Sequence, residues 1–191
     1  MPKYKFTLLL LLSVMLLQGC ATAIITGAAT GAAVATDRRT TGMVIDDQGI
    51  EFSAYRTIRS NKEIHDQVHV NITSYNGLVL LTGETPTESL RQQVEDIAKN
   101  HSKVRRTFNE IIIAAPSSLP SRSSDTWITS KIKAKLTAER GINPLSVKVV
   151  TEHGVVYLMG IISRAEANTV VAVVSQSAGV QRVVKLFEYT D

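Results

Sequence analysis

The sequence is poor in cysteine. Its 191 residues include a single cysteine, Cys20, so no disulfide can form within the chain. The folded domains must therefore be held together by their apolar cores alone. A lone cysteine also excludes the paired-cysteine motifs that are typical of redox enzymes and of zinc-binding modules.

Long apolar runs are scarce as well. The most apolar one extends from Phe6 to Leu17, about a dozen residues, whereas a helix that spans a bilayer needs roughly twenty. Lys3 and Lys5 precede this run, and a short basic segment before an apolar one is typical of a secretory signal peptide. The sequence therefore predicts that residues 1–19 are a signal peptide and not a permanent transmembrane helix.

The cysteine follows this run in the sequence Leu17-Gln18-Gly19-Cys20, which resembles the bacterial lipobox. In lipoproteins, diacylglycerol alkylates the thiol, cleavage occurs before the cysteine, and the new amino group is acylated, for example with palmitate. The resemblance implies that Cys20 is the lipid-modified first residue of a mature chain, permanently attached to a membrane. Ala21, in place of an aspartate, favours the outer membrane. The alternative is an ordinary free or buried cysteine.

Enzyme motifs are missing too. The chain has no Gly-x-Ser-x-Gly elbow and no phosphate-binding glycine loop. His65 and His69 have the spacing of a zinc-binding pair on one helix, but His69 falls at the start of a predicted strand, so two solvated histidines are expected instead. We therefore expect no enzymatic activity, no metal, and no cofactor beyond the covalent lipid on Cys20.

What the sequence does contain is an internal repeat. Residues 70–83 align with residues 147–160 at a constant offset of 77. Each copy consists of two β-branched, apolar segments joined at Asn76-Gly77 or at His153-Gly154, where a glycine permits the positive φ of a tight turn. The repeat therefore predicts two β-hairpins.

Periodic segments on either side complete each copy. An amphipathic helix and a third strand follow each hairpin, and another helix precedes it. The preceding helices are predicted to start near Asp47 and Asp125, whose carboxylates suit the N-cap position. Each copy is therefore predicted to be an α-β-β-α-β unit. The predicted segments are helices 85–101 and 163–177 and strands 104–113 and 180–189, with buried helix faces formed by Ile50, Ala54 and Ile58 and by Ile128, Ile132 and Leu136.

Two such units behind a lipobox, with glycines in their hairpins and at their strand ends, resemble the BON-domain family, and within it the outer-membrane lipoproteins with two BON domains. The resemblance implies an α+β fold of two tandem domains, each with a three-stranded mixed sheet packed against two helices. Asn109 fits the family's last strand, whereas the second copy has Lys185 there. The predicted order is a signal peptide (1–19), an acylated flexible tether (20–45), a first domain (46–113), a linker (114–124) and a second domain (125–191).

Charge is divided unevenly between the two copies. Residues 46–113 hold eight Lys/Arg against ten Asp/Glu, whereas residues 114–191 hold nine against six. On the basic first helix of the second copy, Trp127 flanks the core face and leads a row formed by Lys131 and Lys135. A tryptophan beside lysines suits a membrane interface. The alternative is a tryptophan folded over the core with solvated lysines beside it.

The resemblance gives this helix a function. Dual-BON lipoproteins bind anionic phospholipids such as phosphatidylglycerol through the first helix of the second domain, which implies a site made of Thr126, Trp127, Ser130, Lys131 and Lys135. It also implies a role in envelope integrity at the periplasmic face of the outer membrane, with enrichment at the division site. The alternative is a protein-binding scaffold for outer-membrane assembly or peptidoglycan remodelling. Nucleic acid is not an expected partner, because an exported and acylated chain does not meet it.

Overall fold

Residues 37–191 are the part of the chain that the structure, a computed structural model, describes. The predicted signal peptide, the predicted lipid attachment at Cys20 and residues 20–36 of the predicted tether lie outside the described residues. Within residues 37–191, no helix is long and apolar enough to cross a membrane.

The first copy folds around a mixed sheet in which β2 is central. It pairs antiparallel with β1 and parallel with β3 and β4. The predicted third strand is interrupted where Asn109 Oδ1 accepts a hydrogen bond from the amide of Ile111, so it forms two short strands instead of one. The elements are α1 (Thr41–Ser60), α2 (Lys62–His65), β1 (His69–Tyr75), β2 (Leu78–Thr85), α3 (Glu88–Lys99), β3 (Arg106–Asn109) and β4 (Ile112–Ile113).

The second copy repeats this arrangement with an unbroken last strand. Its central strand β6 pairs antiparallel with β5 and parallel with β7. The elements are α4 (Leu119–Ala138), a 3-10 turn (Pro144–Ser146), β5 (Val147–Glu152), β6 (Val155–Ile162), α5 (Arg164–Ser175) and β7 (Arg182–Tyr189). The predicted α+β class and the mixed sheets packed against helices are thus confirmed.

The two hairpin turns have the geometry that the repeat predicts. Asn76 and Gly77 have φ of 53° and 72°, and His153 and Gly154 have φ of 50° and 71°. Positive φ at both central residues defines the turn whose twist matches that of the flanking strands. The two glycines therefore occupy equivalent turn positions.

Replacing Gly77 with valine should destabilise the fold more than the same change at Gly154. Both positions have positive φ, which costs a β-branched residue roughly 1–2 kcal/mol. A Cβ on Gly77 would also lie 2.8 Å from the carbonyl oxygen of Lys103, whereas on Gly154 it would meet only the flexible side chain of Gln181, at 3.0 Å. Chemical denaturation should rank the wild type first, Gly154→Val second and Gly77→Val last; equal midpoints would contradict this turn geometry.

The first helix of each copy begins earlier than the sequence predicts. Thr40 caps α1 and Ser118 caps α4, so the prediction that Asp47 and Asp125 are N-caps is wrong. Their buried carboxylates instead accept hydrogen bonds from the hairpin turns. Asp47 accepts from the amides of residues 76 and 77, at 2.7 and 2.8 Å, and Asp125 from those of residues 153 and 154, both at 2.9 Å. Each aspartate therefore ties a first helix to its own hairpin.

The earlier starts also correct the predicted tether and linker. Helix α1 includes residues 41–45, and α4 includes residues 119–124. Just before α1, Arg38 forms two hydrogen bonds of 2.7 and 2.8 Å with Glu166 of the second copy and lowers the pKa of that carboxyl to about 2. Arg39 stacks 4.0 Å from the ring centroid of Tyr75 in the first copy. Residues 37–45 are therefore part of the folded unit.

The two copies pack sheet against sheet. In each copy the helices cover one face of the sheet, and the opposite faces meet in a shared apolar cluster. Because both faces of the central strands are covered, all eight residues of β2 are buried. Residues 37–191 are thus four layers in the order helices, sheet, sheet, helices. The shared cluster consists of Tyr75, Leu78, Leu80, Tyr157, Met159 and Leu186, with Phe108, Val150, Val155, Ile161 and Val184 at its border.

Candidate functional site

Helix α4 carries the residues that the sequence singled out. The Ser118 hydroxyl caps the helix by accepting a hydrogen bond from the amide of Ser121, and Pro120 occupies the second helical position, where no amide hydrogen is needed. One face buries Ile128, Ile132 and Leu136 against the sheet of the second copy, as predicted. The opposite face of α4 is left to solvent, and this face is the candidate site.

Trp127 lies on this open face. Its side chain is 63% exposed, so the alternative in which it folds over the core is wrong. The Lys131 ammonium lies 5.7 Å from the centroid of the indole, within range of a cation–π contact. The same ammonium donates a hydrogen bond of 2.8 Å to the carbonyl of Ala178. A lysine is therefore held beside an exposed tryptophan.

Lys135 extends this row by one turn of the helix. Its ammonium donates a hydrogen bond of 3.0 Å to the hydroxyl of Ser177, in the loop after α5. An ammonium has three donors, so each of the two lysines keeps hydrogen-bonding capacity beyond the bond it makes to the protein. The structure thus brings Trp127, Lys131 and Lys135 together as the sequence spacing indicates.

Thr126 and Ser130 occupy the neighbouring strip of the helix. Both are exposed, and their hydroxyls donate hydrogen bonds of 2.9 Å to the carbonyls of Arg122 and Thr126 respectively. With the hydroxyl hydrogen used inside the helix, what each group offers to solvent is an acceptor. A ligand that meets this strip must therefore supply hydrogen-bond donors.

The charge on the open face has one sign. The ionisable side chains at the surface of α4 are Arg122, Lys131, Lys133 and Lys135, all cationic. The only carboxylate of the helix, Asp125, is 7% exposed and accepts the turn amides described above. The open face of α4 is therefore cationic, with a single aromatic side chain among its charges.

A cleft of about 500 Å³ runs beside the helix, between α4 and strand β1 of the first copy. Thr126 and Ser130 line it together with Arg122 and Lys133, whereas Trp127, Lys131 and Lys135 are not among its lining residues. The five predicted residues therefore divide between two adjacent parts of one face. Sequence reasoning omitted Arg122 and Lys133 from the site, although their spacing of four and three residues from Thr126 and Ser130 places them on the same strip.

Both copies match the same known protein family. The sequence matches the model of the BON domain over residues 46–115 and again over residues 124–191. The chain belongs to the BON-domain family. Helix α1 is thus the first helix of the first BON domain, and α4 is the first helix of the second.

Three curated relatives match between 80% and 96% of the chain. The outer membrane lipoprotein DolP of Haemophilus influenzae is 36% identical over 183 residues, which cover 96% of this chain and 95% of that protein. The 21 kDa hemolysin of Actinobacillus pleuropneumoniae is 33% identical over 80% of this chain and 79% of its own length. Osmotically-inducible protein Y of Escherichia coli is 26% identical over 91% of each chain. The predicted similarity to dual-BON proteins of the DolP type is confirmed.

The exposed face of α1, the first helix of the first BON domain, differs from that of α4. Phe52 on α1 is 68% exposed and is thus as open to solvent as Trp127 on α4. Its helix, however, also carries surface carboxylates, and one of them, Glu51, pairs with Lys148 of the second domain at 2.7 Å. Arg56 and Arg59 follow Phe52 on α1, but the partly exposed carboxylates of Asp46 and Glu51 precede it, so the surface charge of α1 is mixed. The two first helices share an exposed aromatic residue and differ in the charge around it.

Proposed function

We propose that this chain is a non-enzymatic outer-membrane lipoprotein that binds anionic phospholipid, phosphatidylglycerol in particular, through α4 of the second BON domain. One observation carries the proposal: an exposed tryptophan on a helix whose surface charges are all positive. The similarity to a protein named as an outer membrane lipoprotein supports the location, with acylated Cys20 holding the chain at the periplasmic face. The role is maintenance of envelope integrity, with enrichment at the division site.

The contact begins with Trp127 and the lysines beside it. An indole is favourable at the depth of lipid headgroups because its ring is apolar while its N–H remains wet. Each cation near an anionic membrane surface adds about 1 kcal/mol. Lys131 and Lys135 are already tied to the loop after α5 by one hydrogen bond each. They therefore lose less side-chain entropy on meeting a phosphate than free lysines would.

The hydroxyl groups of Thr126 and Ser130 suit the headgroup of phosphatidylglycerol. Thr126 and Ser130 offer acceptors, and the glycerol headgroup of phosphatidylglycerol carries two hydroxyl donors. Lys133 borders the same cleft and suits the phosphate of that headgroup. A headgroup in the cleft would thus meet acceptors for its glycerol and a cation for its phosphate.

Because acyl chains on Cys20 would hold the protein at the membrane, a weak contact between α4 and lipid headgroups is enough for binding. A chain attached by acyl groups stays at the membrane, so the encounter of α4 with lipid is intramolecular and is governed by an effective concentration. The first BON domain braces the second through the shared apolar cluster and through ion pairs such as Arg105 with Glu188, at 2.9 Å. In this proposal the first domain gives α4 a rigid support and does not itself bind lipid.

Flotation tests the proposal against the scaffold alternative. The unacylated chain, residues 21–191, should float with vesicles that contain phosphatidylglycerol and remain in the soluble fraction with vesicles of phosphatidylcholine alone. Raising the salt from about 0.1 M to 1 M shortens the Debye length from about 10 Å to 3 Å and should reduce flotation. Equal behaviour with both kinds of vesicle would refute lipid recognition and favour a protein partner.

A further inference from the structure

Two glutamates from different BON domains lie side by side where the two sheets meet. Glu84, near the end of β2, has no exposed surface, and Glu152, the last residue of β5, is 7% exposed. Burying one carboxylate is costly, and placing two together adds the repulsion of like charges. The arrangement requires a source of positive charge.

No lysine or arginine supplies that charge. Among the ion pairs of residues 37–191, Glu84 pairs only with histidines, and Glu152 forms no ion pair. Arg122 lines the cleft beside Glu152, but its guanidinium donates hydrogen bonds of 2.8 and 3.2 Å to the carbonyl and hydroxyl of Ser117. The guanidinium of Arg122 is therefore engaged by Ser117 and forms no ion pair with Glu152.

Two histidines approach Glu84 instead, one from each domain. His69 Nδ1 lies 2.8 Å from Glu84 Oε2, and His153 Nε2 contacts the other carboxylate oxygen, Oε1. Burial acts to raise the pKa of Glu84, but hydrogen bonds from the two histidines and from Ser117 outweigh it and lower the pKa. Both oxygens of this carboxylate therefore face imidazole nitrogens, and imidazole nitrogen and carboxylate oxygen are both common metal ligands.

The atoms of this cluster are spaced for a metal ion. One ligand atom each from His69, Glu84 and Glu152 lies within 4.8 Å of the other two. Ligand atoms about 2.1 Å from a tetrahedral zinc ion lie roughly 3.4 Å from each other, so small side-chain movements suffice. His69 and Glu152 also line the cleft of about 500 Å³, which leaves an open side for a water molecule as fourth ligand.

We propose that His69, Glu84 and Glu152 form a binding site for a transition-metal dication, Zn²⁺ in particular, that joins the two BON domains. One imidazole and two carboxylates match the ligand types of zinc sites, whereas Mg²⁺ and Ca²⁺ prefer oxygen ligands alone. His153 holds the outer oxygen of Glu84 and orients that carboxylate toward the ion. Because His69 and Glu84 belong to the first domain and Glu152 to the second, a bound ion cross-links them.

Titration calorimetry of the chelator-treated chain, residues 21–191, with ZnCl₂ tests the site without lipid. We expect one equivalent to bind, and an ion at about a hundredfold excess over Kd to raise the Tm by roughly 5–10 °C. MgCl₂ and CaCl₂ should do neither. Co²⁺ in place of Zn²⁺ should give visible absorption bands of a site with nitrogen and oxygen ligands. Absence of zinc binding up to about 1 mM would overturn the proposal.

Single substitutions locate the ion. Glu152→Gln and His69→Gln each remove one ligand, and each should weaken zinc binding at least about tenfold. His65→Gln is the matched control, because His65 is exposed on α2 and outside the cluster, and it should leave the affinity unchanged. Unchanged zinc affinity in both ligand variants would assign the bound ion to another place and refute this site. Unfolding of one variant, seen by circular dichroism, leaves the other to decide.

Discussion

Trp127→Glu should greatly weaken binding of the unacylated chain to vesicles that contain phosphatidylglycerol. The substitution removes the aromatic ring from the membrane interface and places a carboxylate at an anionic surface. A single charge there is worth about 1 kcal/mol, so the loss of the ring and the new repulsion together should weaken binding by about tenfold or more. The indole is 63% exposed, so the fold should survive. Flotation and circular dichroism of the same preparation measure both effects.

Phe52→Glu provides the matched control. It introduces the same charge at an aromatic residue that is 68% exposed on the equivalent first helix of the first BON domain. We expect this variant to float with anionic vesicles nearly as well as the wild type, because the surface of α1 carries carboxylates as well as cations, whereas the surface charges of α4 are all positive. A folded Trp127→Glu variant that binds with unchanged affinity would disprove the site on α4. Equal losses in both variants would show that charge anywhere on the protein, and not this helix, governs binding.

The sequence predicts the fold of each domain well because local signals agree with one another. The turn glycines require positive φ, and both have it. The apolar residues at helical spacing, including Ile50 on α1 and Ile132 on α4, are completely buried. Such features depend on residues close together in the chain, so periodicity and turn chemistry are enough to find them.

The packing of one domain on the other could not be predicted in the same way. Leu80 and Tyr157 lie on sheet faces turned away from the helices of their own domains, and each is buried by the other domain. Continuous apolar residues in β2 are consistent with a strand buried on both faces, but they do not say what covers the second face. The sequence of one repeat does not reveal that the other repeat covers this face.

The sequence singles out Asp47 and Asp125 as structurally important, but it predicts the wrong hydrogen-bond partners for them. An aspartate near a helix start is typical of an N-cap, but the serine and threonine upstream take that position. The hairpin amides lie about 30 residues away in the chain, so their need for an acceptor is visible only once the helix is packed on the sheet. The cluster of Glu84 with Glu152 has the same origin, because its members come from different domains.

Cys20→Ala should release the chain from the membrane fraction or leave its signal peptide uncleaved. The thiol is the atom that the lipobox-like sequence would present for alkylation, and alanine has nothing to alkylate. The apolar clusters of the described residues, 37–191, are formed without a thiol, so the Tm should not change. Labelling with radioactive palmitate and fractionation of the envelope measure the effect, and unchanged labelling in the variant would show that the lipobox interpretation is wrong.

Ala21→Asp is the control for this change, since it leaves the thiol in place and alters only the residue after it. We expect it to remain labelled with palmitate and to move from the outer to the inner membrane. The two variants separate acylation from sorting. They also bear on lipid recognition, because two or three acyl chains hold a protein at a membrane effectively permanently whether or not α4 binds headgroups. The acylated Trp127→Glu variant should therefore stay in the membrane fraction, whereas processed Cys20→Ala should not. Loss of Trp127→Glu together with retention of processed Cys20→Ala would mean that α4 and not the lipid is the principal anchor.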